Sequence, residues 1–304
     1  MNKKKIIYFG SAVWELTSKH LKMLLDNEAN IVAFVVADTS KISTTVTKKD
    51  PYENIADVSK RLNIPSYCPK NLMEPEFINF LKSFSADMFI ICGLQFLMPK
   101  TILDIPHLGA INFHSSLLPR HSGMHPGFWT IWYGDQESGM VIHYMDSGLD
   151  TGDIIYQSKV PVLCGDTIAT LYDRIWDSSE PLVKNLVEGL ESDNLPRTPQ
   201  DMNKYFYNYE LSEKDFELDF RWPASVLYGR VIMRPDEFYF LYNNKKYFVR
   251  SCSVINEPDD TRKYLLDVPY LINNKVTFVT PDKFLQINDV IRDGCEMDPK
   301  SIID

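Results

Sequence analysis

The chain has 304 residues, a formal net charge of −9 and an ordinary globular composition, 44% apolar and 24% charged. That balance excludes a disordered or fibrous chain and supplies no global basic field for nucleic acid or an anionic membrane. The length suits one large or two smaller domains. The five cysteines (68, 92, 164, 252 and 295) are scattered, odd in number and without a C-x-x-C pair. Reduced thiols are therefore expected, with no disulfide framework and no bound metal. The basic start Met1–Lys5 has an apolar continuation broken by Gly10, Ser11 and Glu15, unlike a secretory signal. The longest apolar run, 88–98, is too short to span a bilayer. A soluble cytoplasmic protein is expected.

Taken in order, residues 5–9 read as a buried strand turning at Gly10-Ser11, 14–25 as a helix and 31–36 as a second buried strand. Strand, helix, strand at this length implies a parallel crossover and an α/β sheet. Only Gly10 of a dinucleotide G-x-G-x-x-G turn is present, so a nicotinamide-type site is rejected. The Ser/Thr/Lys-rich stretch 39–49 reads as a solvated loop, with Lys48 and Lys49 as weaker candidates for a phosphate contact. Helices are expected over 52–62 and 74–84, and strands over 88–92 and 110–113. An aromatic helical piece at 128–133, strands at 140–145 and 153–157, and one long amphipathic helix at 167–190 follow. Past about residue 200 the chain turns to aromatic strands over 237–242 and 246–250, punctuated by Asn243-Asn244 and Asn273-Asn274 turns. The expected architecture is a Rossmann-like, mostly parallel α/β domain over 1–204 with a smaller, mostly β subdomain over 205–304.

The chemistry concentrates between residues 107 and 155, which hold five of the six histidines. Asn112 and His114 lie two apart at a strand end, so both side chains face the same way. An imidazole takes and returns a proton near neutrality, and an amide NH2 beside it donates to an oxyanion. The glycine-bounded turn after His143 can deliver a carboxylate, Asp150, to the imidazole. If the attacking group is a substrate amine, no serine or cysteine nucleophile is needed. Each piece alone reads more simply as a turn cap or a structural histidine.

Together, "NFHSSLLPRHSG" (112–123) and "GMVIHYMDSGLDTGDII" (139–155) resemble the folate-dependent formyltransferase family, over roughly the first two thirds of the chain. The resemblance implies a Rossmann-like sheet without a dinucleotide and a catalytic trio of Asn112, His114 and Asp150. It implies 10-formyltetrahydrofolate as formyl donor, its pterin held by Gly93, Leu94, Gln95, Phe96 and Leu97 on one side. Met145, Asp146 and Gly148 would form the second wall. On residue type alone, Leu94, Phe96 and Leu97 read as ordinary core. The expected mechanism is direct attack by an unprotonated amine, with Asp150 orienting His114 and raising its pKa by opposite charge.

For the acceptor, residues 205–304 carry 13 Lys and Arg against 17 Asp and Glu, a poor platform for tRNA. "GMHPGFW" (123–129) most resembles the sugar N-formyltransferases. The expected acceptor is a nucleotide-linked amino sugar, for instance a dTDP-4-amino-4,6-dideoxyhexose for surface polysaccharide such as the O-antigen of lipopolysaccharide. Arg120, His121, Ser122, Gly123 and Trp129 are the candidates to contact it, with helix-to-sheet core as the competing reading for Trp129. The late aromatic strands suggest a homodimer. Alternatives are a methionyl-tRNA formyltransferase, an enzyme for another small amine, and a non-catalytic protein on the same fold. A metal-dependent hydrolase using His114, His121, His125 and Asp150 is the remaining one, weakened by Gly123 and Pro126.

Overall fold

The computed structural model describes residues 3–11, 15–37, 53–94, 97–256 and 264–303. The 39–49 stretch, and with it Lys48 and Lys49, lies outside them. The chain forms two compact units. The first comprises residues 1–126, 137–161 and 172–209, and the second 127–136, 162–171 and 210–304. The division is thus not the single cut expected at 204/205. Aromatic side chains of 127–136 pack with those of the C-terminal segment and carry that stretch into the second unit.

The first unit is built on β1 (Lys5–Ser11), α1 (Glu15–Asp26), β2 (Asn30–Ala37), α2 (Ile55–Leu62), β3 (Ser66–Tyr67), α3 (Pro75–Ser83), β4 (Met88–Cys92), α4 (Lys100–Leu103) and β5 (Ala110–His114). A short β6 (Arg120–Gly123) precedes helix α5 (Pro126–Tyr133), after which come β7 (Glu137–Tyr144) and β8 (Ile154–Pro161). Next come α6 (Ile168–Asp177), α7 (Glu180–Glu191) and the short β9 (Phe206–Asn208). The seven-stranded sheet has the order β3-β2-β1-β4-β5-β7-β8. Pairing is parallel from β3 through β5 and antiparallel from β5 to β7 and from β7 to β8. Strands β1 and β4 are apolar on both faces because both are covered, as in buried parallel sheets. One face holds Phe9, Val35, Phe77, Leu81, Phe89, Ile91 and Ile102 in a single apolar cluster.

The local chemistry of the chain sets its boundaries. Helix α2 begins at Asn54, whose side chain accepts from the Asp57 N–H, and ends at Asn63 in the left-handed region. The long helix expected over 167–190 is two helices. Pro181 has no N–H to continue a helix from α6 but is well placed in the first turn of α7. Beyond it, β6 and β9 pair in parallel as a separate two-stranded ribbon.

The second unit contains α8 (Ala224–Met233) and an antiparallel sheet of β10 (Tyr239–Tyr242), β11 (Lys245–Ile255), β12 (Pro269–Ile272), β13 (Lys275–Val279), β14 (Phe284–Arg292) and β15 (Cys295–Met297). Both Asn-Asn turns have positive φ at both residues, as a two-residue hairpin with right-handed strand twist requires. Phe128 of α5 packs on Phe216 and Phe238, and Trp132 packs edge-on to Trp222. The Arg230 guanidinium is fully buried over the Trp132 ring, donates to the Trp132 carbonyl, and is pushed down to about 9 by burial.

In the first unit His20 is fully buried, its Nδ1 2.7 Å from the Leu16 carbonyl and its Nε2 2.8 Å from the Ser179 hydroxyl. Burial lowers its pKa to about 4. The unfolded chain protonates this ring near 6.5, so between those values it binds a proton that the native state refuses. Stability therefore falls as pH drops through that window, by on the order of 3 kcal/mol in total. Denaturant unfolding at pH 7.5 and 4.5 should show a smaller loss for His20→Gln than for the parent. Equal losses would show that His20 does not drive the acid sensitivity.

Candidate active site

The register of β5 on β7 brings the polar groups together. Asn112 pairs opposite His143, and His114 opposite Val141. Directly opposed residues share a face, so Asn112, His114 and His143 all point the same way. The β7–β8 register shifts between Ile142 and His143, a local irregularity of the kind that re-aims a side chain. The turn after β7 then returns Asp150 to this cluster. Gly152 permits the return, because a Cβ there would lie 1.9 Å from the Tyr144 carbonyl oxygen. Asp150 itself has φ +53, a left-handed conformation that few residues with a side chain adopt.

Asp150 is the hub. Its Oδ2 accepts the Gly123 N–H at 2.8 Å and lies 3.5 Å from Nδ1 of His114. Its Oδ1 is 3.5 Å from both Nε2 of His143 and Nδ2 of Asn112. Burial opposes the charge on this carboxyl, but His114, His143 and the Gly123 N–H overcome it and hold the group well below the usual carboxylate range. Asp150 is ionised at neutral pH.

The tautomers follow from the acceptors. Nε2 of His114 lies 2.8 Å from the His121 carbonyl, which only accepts, so Nε2 carries a proton. In the neutral ring Nδ1 is then bare and faces the Asp150 carboxylate. Likewise Nδ1 of His143 donates to the Tyr144 carbonyl at 2.8 Å, leaving its Nε2 to accept from the Asn112 amide at 3.3 Å. Burial lowers the pKa of His114, and Asp150 opposes that only in part. The carboxylate raises the pKa as expected, but burial is the larger effect and the net shift is downward. His114 rests neutral at pH 7 with Nδ1 as its basic atom, and protonation there creates an ion pair with Asp150.

This cluster lines a cavity of about 350 Å³ in the first unit. Asn112, His114 and Asp150 all border it, as do Gly93, Leu94, Leu97, Met145, Asp146 and Gly148. Gln95 and Phe96 lie outside the described residues. Ile91, Leu94, Met98, Met145 and Leu149 give an apolar slot beside the polar cluster, the kind of wall that covers a flat heterocycle. Of the residues expected to meet the acceptor, only Gly123 borders the cavity. Arg120 lies over the Phe206 ring, the His121 ring meets Asn208, and Ser122 is buried with its hydroxyl on the Pro119 carbonyl. Trp129, 1% exposed and packed on Phe128, Trp132 and Tyr133 in the second unit, takes the core role.

Sequence reasoning passed over His143, although it sits inside the quoted motif. It also missed Tyr172 and Trp176, which stack on each other at the cavity wall, and Tyr207 at the rim. These come from distant segments whose helical or strand pattern looks like core. Among the described residues no group of three His, Cys, Asp or Glu side chains is arranged to hold a metal.

Gly123 ties the loop to the hub and has no room for a side chain. At φ +93 an added Cβ would lie 2.5 Å from the Asn208 carbonyl oxygen and 2.6 Å from the Tyr207 ring. Gly165 has a similar φ of +88 but open space around it. Gly165→Ala should therefore cost only the left-handed strain, about 1–2 kcal/mol in urea unfolding. Gly123→Ala should cost more and also slow turnover, since it displaces the N–H that holds Asp150. Equal costs at the two positions would contradict this packing.

A family model described as formyl transferase matches residues 4–187. The chain is 34% identical over 226 residues to a methionyl-tRNA formyltransferase of Syntrophus aciditrophicus, covering 74% of this chain and 70% of that protein. Among solved structures, an N-formyltransferase from Helicobacter canadensis, in complex with folinic acid and dTDP-3-aminofucose, aligns with a TM-score of 0.65 at 17% identity. That alignment covers 95% of this chain and 100% of the other. The sugar 3N-formyltransferase WlaRD, crystallised with dTDP and 5-N-formyl-THF, gives 0.64 at 18% identity, covering 94% and 98%. The family match spans well over half of the chain, and it falls on the strands and turns that assemble the Asn112, His114 and Asp150 cluster. The chain belongs to the folate-dependent formyltransferase family.

Proposed function

We propose that the chain transfers a formyl group from 10-formyltetrahydrofolate to the amine of a nucleotide-linked amino sugar, such as a dTDP-4-amino-4,6-dideoxyhexose destined for surface polysaccharide. The observation that carries the chemistry is the neutral His114 with its bare Nδ1 set against ionised Asp150, beside the Asn112 amide, at the wall of one cavity. The folate occupies the apolar slot, where backbone groups near Gly93 and Met145 read the edges of its ring system and Leu94, Met98 and Leu149 cover its faces. The substrate amine attacks the formyl carbon. Asn112 donates to the oxygen that becomes negative. His114 takes the proton released by the amine nitrogen, and Asp150 stabilises the imidazolium so formed. That proton goes to the folate nitrogen as its bond to the formyl carbon breaks, leaving an N-formyl amide and tetrahydrofolate.

Two features support a small acceptor. The cavity wall carries no Lys or Arg among the described residues, and residues 205–304 are net acidic. The 34% identity to a methionyl-tRNA formyltransferase favours the other reading, in which the acceptor is charged tRNA.

Incubation with 10-formyltetrahydrofolate and a panel of dTDP-, UDP- and GDP-amino sugars should give one product heavier by one formyl group. His114→Ala should lower that rate by about 100-fold or more. Formylation of methionyl-tRNA with no sugar product would keep the chemistry and overturn the acceptor. Activity should fall with decreasing pH along a limb below 6.5, because a neutral His114 is required and burial lowers its pKa. A limb unchanged in His114→Ala would remove His114 from the mechanism.

A further inference from the structure

The turn that carries Asp150 is held from outside the stretch that the family model matches. Residues 198–208 run alongside it within the first unit. Thr198 and Ile154 exchange both backbone hydrogen bonds, at 2.8 and 2.9 Å, fixing the far end of the turn. Gln200 then donates its two amide hydrogens to the carbonyls of Asp150 and Gly152, at 2.8 and 2.7 Å. The Tyr205 hydroxyl donates to the Leu149 carbonyl at 3.1 Å. Three carbonyls around a left-handed aspartate, those of Leu149, Asp150 and Gly152, are thus taken by one segment.

The orientation of the Gln200 amide is set by these partners, since both are acceptors and only the NH2 end can meet them. Its Oε1 is buried and meets no donor among the described residues. A residue kept only for packing gains nothing from such an acceptor, whereas one kept for two donors needs it. The left-handed φ of +53 is one that Asp193, Asp236, Asp267 and Asp293 also adopt, so it costs Asp150 little and does not by itself fix where the turn sits. The Asp150 carboxylate reaches His114 and Asn112 only at 3.5 Å, so a small rotation of the turn would break the pairing.

We propose that Gln200 is a positioning residue for formyl transfer: by holding the carbonyls on either side of Thr151 it locks the turn so that the Asp150 carboxylate stays against Nδ1 of His114. This rests on the roles given above to His114 and Asp150.

Gln200→Met keeps the length and neutrality of the side chain and removes both donors. With the carboxylate free to swing away, His114 loses the charge that partly offsets burial, so its ring should titrate at lower pH than in the parent, as it should in Asp150→Asn. Histidine titration by 1H–13C NMR reads this without any acceptor. The Gln200→Met/Asp150→Asn double variant should titrate like Asp150→Asn alone, since nothing remains to position. With dTDP-4-amino-4,6-dideoxyglucose as probe, kcat should fall by roughly 10- to 100-fold while both KM values stay within about 3-fold, as misplacement of a catalytic group predicts. A parent-like His114 titration in Gln200→Met, with the shift present in Asp150→Asn, would overturn the role of Gln200 alone. An unshifted titration in Asp150→Asn would overturn the pairing itself. A variant that unfolds early yet shows native titration and full kcat below its Tm would show a purely structural glutamine.

Discussion

One buried negative charge organises the site. A carboxylate taken largely out of water is costly unless its oxygens are met by donors or opposite charge. Asp150 meets a backbone N–H from Gly123 and the Asn112 amide at rest, and the imidazole of His114 adds opposite charge when it is protonated. The groups around it come from three stretches of chain, Asn112 and His114 on β5, Gly123 on β6 and His143 on β7. Moving any of them leaves the charge short of a partner, so the register of β5 on β7 and the two loops are constrained together. The left-handed backbone at Asp150 and the crowded approaches at Gly123 and Gly152 are local costs of that convergence.

The sheet explains why the cluster forms where it does. Five strands run parallel, and β5 then pairs with an antiparallel β7. That change of direction sets Asn112 opposite His143 and sends the chain into a turn close enough to return Asp150 to β5. The same geometry places apolar walls from β4 and from Met145 beside the polar groups. An apolar slot adjoining a proton-accepting cluster is what transfer between a flat heterocyclic donor and an amine needs.

Much of this was legible in the residues. Period-two spacing put Asn112 and His114 on one face, and the glycine-bounded turn offered Asp150 as a carboxylate that could reach them. The Asn-Asn pairs marked both hairpins of the second unit. What escaped depended on long-range contacts. Pro181 ended a helix that amphipathic spacing alone would continue. The aromatics of 128–133 left a ligand platform and core equally open, because their sequence cannot say that Phe216, Trp222 and Phe238 lie against them. The net shift of His114 escaped for a related reason: its partner is visible in a motif and raises the pKa as expected, while the burial that outweighs the partner is a property of the folded unit.

The catalytic cluster is indifferent to what carries the amine. Attack at the formyl carbon uses one lone pair, one proton and one developing oxyanion, and none of these distinguishes a sugar from an aminoacyl ester. Discrimination must come from groups that meet the rest of the acceptor. The exposed lining of the cavity includes Leu97, Tyr207 and Leu149, exposed by 55%, 44% and 39%, together with Asp146, and among the described residues it carries no Lys or Arg. Such surfaces suit the face of a sugar or a base, and provide nothing that neutralises phosphate. For the acceptor proposed above, the amine and adjoining ring would face this cavity, and the phosphates would need partners beyond its wall.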